Sequence, residues 1–232
     1  MIVQVLVMAF VSTVVDSSVE PPEIATIATD ISHWQANIVW PEVIQSGIEI
    51  VIHKATQGIN YVDKSYAPRK EAARAAGLKY WGAYHFADGT NGAAQAQHFL
   101  RIAGDADFLA IDLEVNPTKN QTTVTTEVAE ELARAICRKT GRFPLVYGSP
   151  NFLNNYLTRS RTLAMCPLWV ANWRRYPPMV PRMWDRWVLW QYTNGEAGPG
   201  PHVVPGIGAC DRDKVNTTAF TNYINNRSSN TM

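Results

Sequence analysis

The sequence predicts an α/β fold, a modified TIM-like barrel of the (β/α)5β3 kind, with eight strands and about five helices. Three observations carry this. Eight short runs rich in β-branched and aromatic residues recur along the chain. The first five alternate with segments rich in Ala, Lys, Arg and Glu, the pattern of parallel strands joined by right-handed crossovers. After the sixth run the connections turn to Pro and Gly, so regular helix gives out there. With 232 residues, 46% of them hydrophobic, the chain can bury the core of one barrel domain.

The elements follow in order. Strand one is ATIATDI (25–31), and a short helix opens at Trp40–Pro41 and stops at Gly47, with proline in the first turn and glycine at the end. Strand two is IEIVIHK (48–54); the helix 65–76 follows and stops at Gly77. Strand three is KYWGAYHF (79–86), followed by a helix over 92–103. Strand four is DFLAIDL (107–113), followed by a helix over 125–140 that stops at Gly141. Strand five is FPLVYG (143–148), with a short helix over 150–157. Strands six to eight are PLWVAN (167–172), WVLWQY (187–192) and GACDRD (208–213). The connection 173–186 carries three prolines, and 193–207 is rich in Gly and Pro, so neither forms a regular helix.

The division is an apolar segment and linker over 1–24, the barrel over 25–224 and a polar tail over 225–232. The opening MIVQVLVMAFVSTVV is short for a membrane span and lacks the Lys or Arg of a secretory leader, which leaves export signal, anchor and extra structural element open. A charged fraction of 18% and a net charge of +1 give no basic field, so nucleic acid is not expected as a partner. Cys137, Cys166 and Cys210 are odd in number with no C-x-x-C, which argues against a disulfide framework or a zinc site. No metal and no cofactor are expected, and the chain is expected to act as a monomer.

Polar residues gather where the strands end, which in such barrels is where chemistry sits. Asp30 ends strand one, Lys54 strand two and Tyr84 strand three. Asp112 and Glu114 end strand four, Tyr147 strand five and Asn172 strand six. Trp190 and Gln191 end strand seven, and Asp211 lies near the end of strand eight. Side chains two apart on a strand face the same way, so Asp112 and Glu114 point together into the mouth. Neighbouring carboxylates oppose each other's ionisation, and one of them keeps its proton to a higher pH. A protonated carboxyl beside a charged one is the equipment for breaking a glycosidic bond, and rim aromatics suit the apolar faces of sugars. The bland reading, a surface turn or an ion pair, is disfavoured by the flanking FLAI.

Eight blocks then match one family in order. DISHWQ (Asp30 to Gln35) resembles its D-x-S-x-x-Q, and VIHKATQG its strand-two segment ending in T-E-G. GAYHFA with QAQHFL resembles its third-strand signature, and LAIDLE its D-x-E. PLVYGS, PLWVANW, WVLWQYT and CDRD follow. The chain resembles the family 25 glycoside hydrolases, the Chalaropsis-type or N,O-diacetylmuramidase lysozymes. The resemblance implies hydrolysis of the β-1,4 bond between N-acetylmuramic acid and N-acetylglucosamine in peptidoglycan glycan strands. It places the general acid on Glu114, with Asp112 assisting and Asp30 and Asp211 completing the acidic cluster. Tyr84, Tyr147, Trp190, Gln191, Gln35 and Asn172 would shape the sugar site. Such an enzyme would act outside the cell or on the cell wall. Two departures stand out. Gln57 replaces the acid of T-E-G, and CDRD replaces V-D-h-N, with Arg212 in the apolar place, where an inward turn would pair it with Asp211.

Other residues carry plainer readings. Asp30 could cap the next segment, but its place on the rim favours catalysis. His53, His85 and His98 read as structural, Trp81 and Trp184 as packing, Arg174 and Arg175 as solvated surface, and Asp88 as an exposed loop acid. Trp169 and Trp173 are open between core and sugar platform. A chitinase pattern, D-x-x-D-x-D-x-E ending at Glu114, would need an acid at 110, where the chain has Ala110. A catalytically impaired glycan-binding barrel is disfavoured by Glu114 and Asp30.

Overall fold

The computed structural model describes residues 23–119 and 121–226. The predicted apolar segment, up to residue 22, and the tail from 227 onward lie outside the described residues. The elements are β1 (Ile24–Ile31), α1 (Trp40–Gln45), β2 (Ile50–Gln57), β3 (Tyr61–Val62), α2 (Tyr66–Ala75), β4 (Tyr80–Phe86), α3 (Gly92–Ala103) and β5 (Phe108–Asp112). Then come α4 (Thr126–Thr140), β6 (Leu145–Gly148), α5 (Pro150–Asn155), α6 (Arg161–Ala164), β7 (Leu168–Ala171) and β8 (Leu189–Thr193). The hairpin β9 (Val203–Val204) and β10 (Gly208–Ala209) precedes β11 (Asp211–Asn216) and α7 (Thr217–Asn225).

The barrel closes in the order β1-β11-β8-β7-β6-β5-β4-β2, with β2 pairing back onto β1. Neighbours from β1 through β2 and β4 to β8 run parallel, as the crossovers require. β11 is antiparallel to both β8 and β1. This corrects the predicted eighth strand, which begins three residues later, at Asp211, and starts at the rim rather than ending there. The reason is the connection 194–210: it holds only a hairpin, so the chain turns straight back and no crossover returns it to the bottom.

Local signals place the helix starts. Asn91, Thr125, Ser149, Ser160 and Asn216 each accept a bond from the backbone N–H three residues on, at the starts of α3, α4, α5, α6 and α7. Gly141 ends α4 at φ 73°, a conformation glycine adopts without Cβ strain. Two helices, α6 and α7, were not legible in the sequence pattern. α7 closes the barrel bottom: Phe220 meets Phe108 edge-on at 5.4 Å and Tyr80 at 5.5 Å.

Strand alternation sorts the side chains into two apolar layers. Ile31, Val51, Trp81, Ile111, Val146, Val170 and Trp190 face outward to the helices. Ala28, Ile50, Ile52, Phe108, Ala110, Leu145, Trp169, Leu189 and Val215 fill the lumen. The lumen core therefore sits directly beneath whatever the next inward position on each strand presents. The three cysteines are free.

Candidate active site

The next inward position carries Asp30 on β1, Lys54 on β2, Tyr84 on β4, Asp112 on β5, Tyr147 on β6 and Gln191 on β8. Asp211 joins from the start of β11, where it pairs in register with Asp30. Asp213 follows two residues on, opposite Ala28 on one side and Gln191 on the other. Like charges directly opposite on neighbouring strands are unfavourable, and burial makes them more so. The carboxyls respond by holding protons. Burial, then the charges of Asp211 and Asp213, push Asp30 well above the usual carboxylate range. Burial also raises Asp211 and pushes Asp213 up to about 7.

Hydrogen bonds tie this ring together. Gln191 Nε2 donates to Asp30 Oδ2 at 2.9 Å. Its Oε1 accepts from Tyr147 Oη at 3.0 Å and from Trp173 Nε1 at 2.8 Å. The same amide thus orients an acid, a phenol and an exposed indole. Trp169 Nε1 donates to Asp213 Oδ1 at 2.6 Å, while Asp213 Oδ2 has no partner among the described residues. Trp169 is therefore lumen core; Trp173 lines a groove.

Asp112 is buried, and its Oδ1 has no hydrogen-bond partner among the described residues. Burial raises its pKa, and the neighbouring Glu114 charge adds to this, against the pull of Lys54. Glu114 lies just past β5 and is half-buried; burial raises it as well, and Lys54 lowers it. Glu114 borders a groove of about 880 Å³, whose walls include Tyr147, Asn154, Asn172, Trp173 and Arg174. None of the other clustered acids lines that groove.

Lys54 is the cation of the site. Its Nζ donates to Gln57 Oε1 at 2.8 Å and lies 5.4 Å from the Tyr61 ring centre and 5.0 Å from that of Phe86. Burial lowers its pKa, while Asp112, Asp63 and Glu114 hold the charge in place. Sequence reasoning noted Lys54 as a strand end and gave it no role. It gave Asp213 none either. The signal for both was period two: Lys54 continues Ile50 and Ile52, and Asp213 continues Asp211.

Two predicted sugar-site residues stand elsewhere. Trp190 points out of the barrel, packs against Trp187, and donates from Nε1 to Asn172 O at 2.8 Å. Gln35 accepts from Ser32 N through Oε1 at 2.8 Å, closing the β1–α1 loop. Tyr84 is half-buried on the lumen side, where burial and then the charge of Asp112 raise its pKa. Arg212 reaches Val203 O at 3.3 Å and forms no ion pair with Asp211. Asp88, expected in solvent, is turned in: its Oδ1 accepts from Thr90 N at 2.9 Å because the loop folds over α3. His53 and His85 are structural. His53 Nδ1 bonds Lys54 O at 2.7 Å, His85 bonds Thr56 and Gln95 at 2.8 and 2.9 Å, and burial lowers both to about 4.

Comparison with known proteins places the fold and the family. The pattern of the glycosyl hydrolases family 25 matches residues 29–201. Lysozyme M1 of Streptomyces globisporus is 33% identical over 207 residues, covering 82% of this chain and 67% of the relative. The N,O-diacetylmuramidase of Chalaropsis sp is 30% identical over 190 residues, covering 74% of this chain and 89% of the relative. The autolytic lysozyme of Clostridium acetobutylicum is 30% identical, and the chain spans 54% of its length. The crystal structure of the Streptomyces coelicolor lysozyme superposes with a TM-score of 0.72 at 27% identity, covering 87% of this chain and 97% of that one. The chain belongs to the glycosyl hydrolases family 25.

Proposed function

We propose that this family 25 lysozyme cleaves peptidoglycan glycan strands at the β-1,4 bond between N-acetylmuramic acid and N-acetylglucosamine, with Glu114 as the general acid. One observation carries the assignment of the acid: among the clustered carboxyls, Glu114 alone borders the groove, while burial keeps its proton to a higher pH. The names of the relatives, lysozyme and N,O-diacetylmuramidase, support the substrate.

In the proposed reaction the glycosidic oxygen of a bound strand meets Glu114. The carbon–oxygen bond breaks, the leaving hydroxyl takes the Glu114 proton, and positive charge grows on the sugar ring. Asp112 lies deeper, with a carboxylate oxygen that lacks a donor, and is suited to accept the N–H of the substrate's N-acetyl group or to stabilise the growing charge. Asp30 anchors Gln191, which holds Tyr147 and Trp173, and Asp211 stands opposite Asp30. The substrate places the action at the cell wall.

The test uses purified cell walls. Glu114→Gln should keep the fold and lower turnover about 10²–10⁴-fold, the usual share of general acid catalysis. Near-full activity in that variant rules Glu114 out. Mass spectrometry of the digest should find fragments ending in reducing muramic acid; fragments ending in reducing N-acetylglucosamine would overturn the bond assignment.

A further inference from the structure

One exposed feature of the mouth is unused by this chemistry. Trp34, on the β1–α1 loop, is 81% exposed, and Tyr61 and Ile59 on the neighbouring hairpin are each 41% exposed. His33 sits between the two aromatics, with ring centres 4.6 Å from Trp34 and 6.4 Å from Tyr61. Together they form an aromatic ledge facing solvent.

The ledge is rigidly built. Both the backbone N and Nδ1 of His33 reach the buried Asp63 Oδ2, at 2.9 and 3.2 Å. Arg69 ties down the loop that carries Trp34: its guanidinium donates to the carbonyl of Ser32 at 2.7 Å, to that of Ala36 at 2.9 Å and to that of Gln35. Gln35 Oε1 closes the same loop on Ser32 N. A loop held by this many bonds keeps a large apolar side chain in water at a fixed angle, which preorganises it for a ligand.

Its position connects it to the acids. Lys54, whose charge acts on both Asp112 and Glu114, lies 5.4 Å from the Tyr61 ring centre. Beside Tyr61 runs a second groove of about 550 Å³, bordered by Gln57, Ile59, Thr118 and Gln121. Thr118 and Gln121 belong to the loop that follows Glu114, so this second groove is bordered by the loop that leaves the acid.

We propose that the Trp34–His33–Tyr61 ledge is a saccharide-stacking subsite for the same glycan strand, holding a sugar ring beyond the pair that is cleaved. The occupant follows from the chemistry: an exposed, fixed indole, joined through Tyr61 to the second groove and to the Lys54 that acts on the acids, suits the apolar face of a pyranose ring, with hydroxyls left to water. The inference rests on the glycan-strand substrate proposed above.

The experiment compares Trp34→Ala, Tyr61→Ala and Trp34→Phe with the parent chain. The substrates are peptide-free glycan strands of about ten disaccharides and a single tetrasaccharide. Stacking of this kind should raise KM for the long strands about two- to tenfold in the two alanine variants, with kcat within about twofold. The tetrasaccharide KM should move far less, Trp34→Phe should recover most of the loss, and the melting temperature should hold. Equal changes on both substrates, or none on the long strands, would overturn the subsite. Calorimetric binding of the same long strands keeps this readout separate: if the parent hydrolyses neither substrate, the proposed function fails, while a weaker strand affinity in Trp34→Ala still reports the ledge.

Discussion

Asp213→Asn should make the fold more stable at alkaline pH and change it little in acid. The carboxyl is 0% exposed and its pKa is pushed from 3.8 up to about 7, first by burial and then by the Asp211 charge. Between those values the folded chain holds a proton that the unfolded chain has released. Stability therefore falls as pH rises from about 4 to about 7 and stays at its low value above that. At about 1.36 kcal/mol per decade of proton activity, the gap amounts to about 4 kcal/mol. An asparagine keeps the side-chain oxygen for Trp169 Nε1 and cannot ionise. It also puts an N–H₂ group where Asp213 Oδ2 has no partner among the described residues. Urea unfolding of both proteins at pH 4, 6 and 8 measures the difference, and subtracting the curves cancels every other titrating group that the change leaves alone. The stabilisation should be within about 1 kcal/mol of zero at pH 4 and approach about 4 kcal/mol at pH 8. A difference that is flat with pH, or a variant less stable at pH 8, would refute the argument that this carboxyl is held neutral by burial.

Two further outcomes follow from the same site. Gln57→Glu gives Lys54 a carboxylate partner; burial still raises Glu114, but the Lys54 pull that lowers it weakens, so Glu114 keeps its proton further and the alkaline limb of the kcat profile should move up by about one pH unit at most. An unmoved or downshifted limb tells against Lys54 acting on the acid. Trp169→Phe removes the donor to Asp213 Oδ1 and leaves that buried oxygen unsatisfied. It should cost about 1–3 kcal/mol in urea unfolding, more at pH 8 than at pH 4; an equal loss at both would mean lost packing alone.

The sequence by itself determined the barrel and where its parallel strands end, because hydrophobic runs of period two and glycine stops are local signals. FLAIDLE reads as a buried strand that delivers Asp112 and Glu114 to a rim, because its apolar flank disfavours a surface turn, and DISHWQ reads as bringing Asp30 to the same end rather than as a helix cap. Tertiary structure decided what local pattern cannot carry. The 194–210 connection folds into a hairpin and not a crossover, so β11 runs antiparallel, and that direction sets Asp211 opposite Asp30. Trp190 and Gln191 are adjacent in sequence and lie on opposite faces of the sheet, so closure of the barrel assigned one to packing and the other to the site. The roles of Lys54 and Asp213 are electrostatic, and they exist only once burial strips water from charges that lie far apart along the chain.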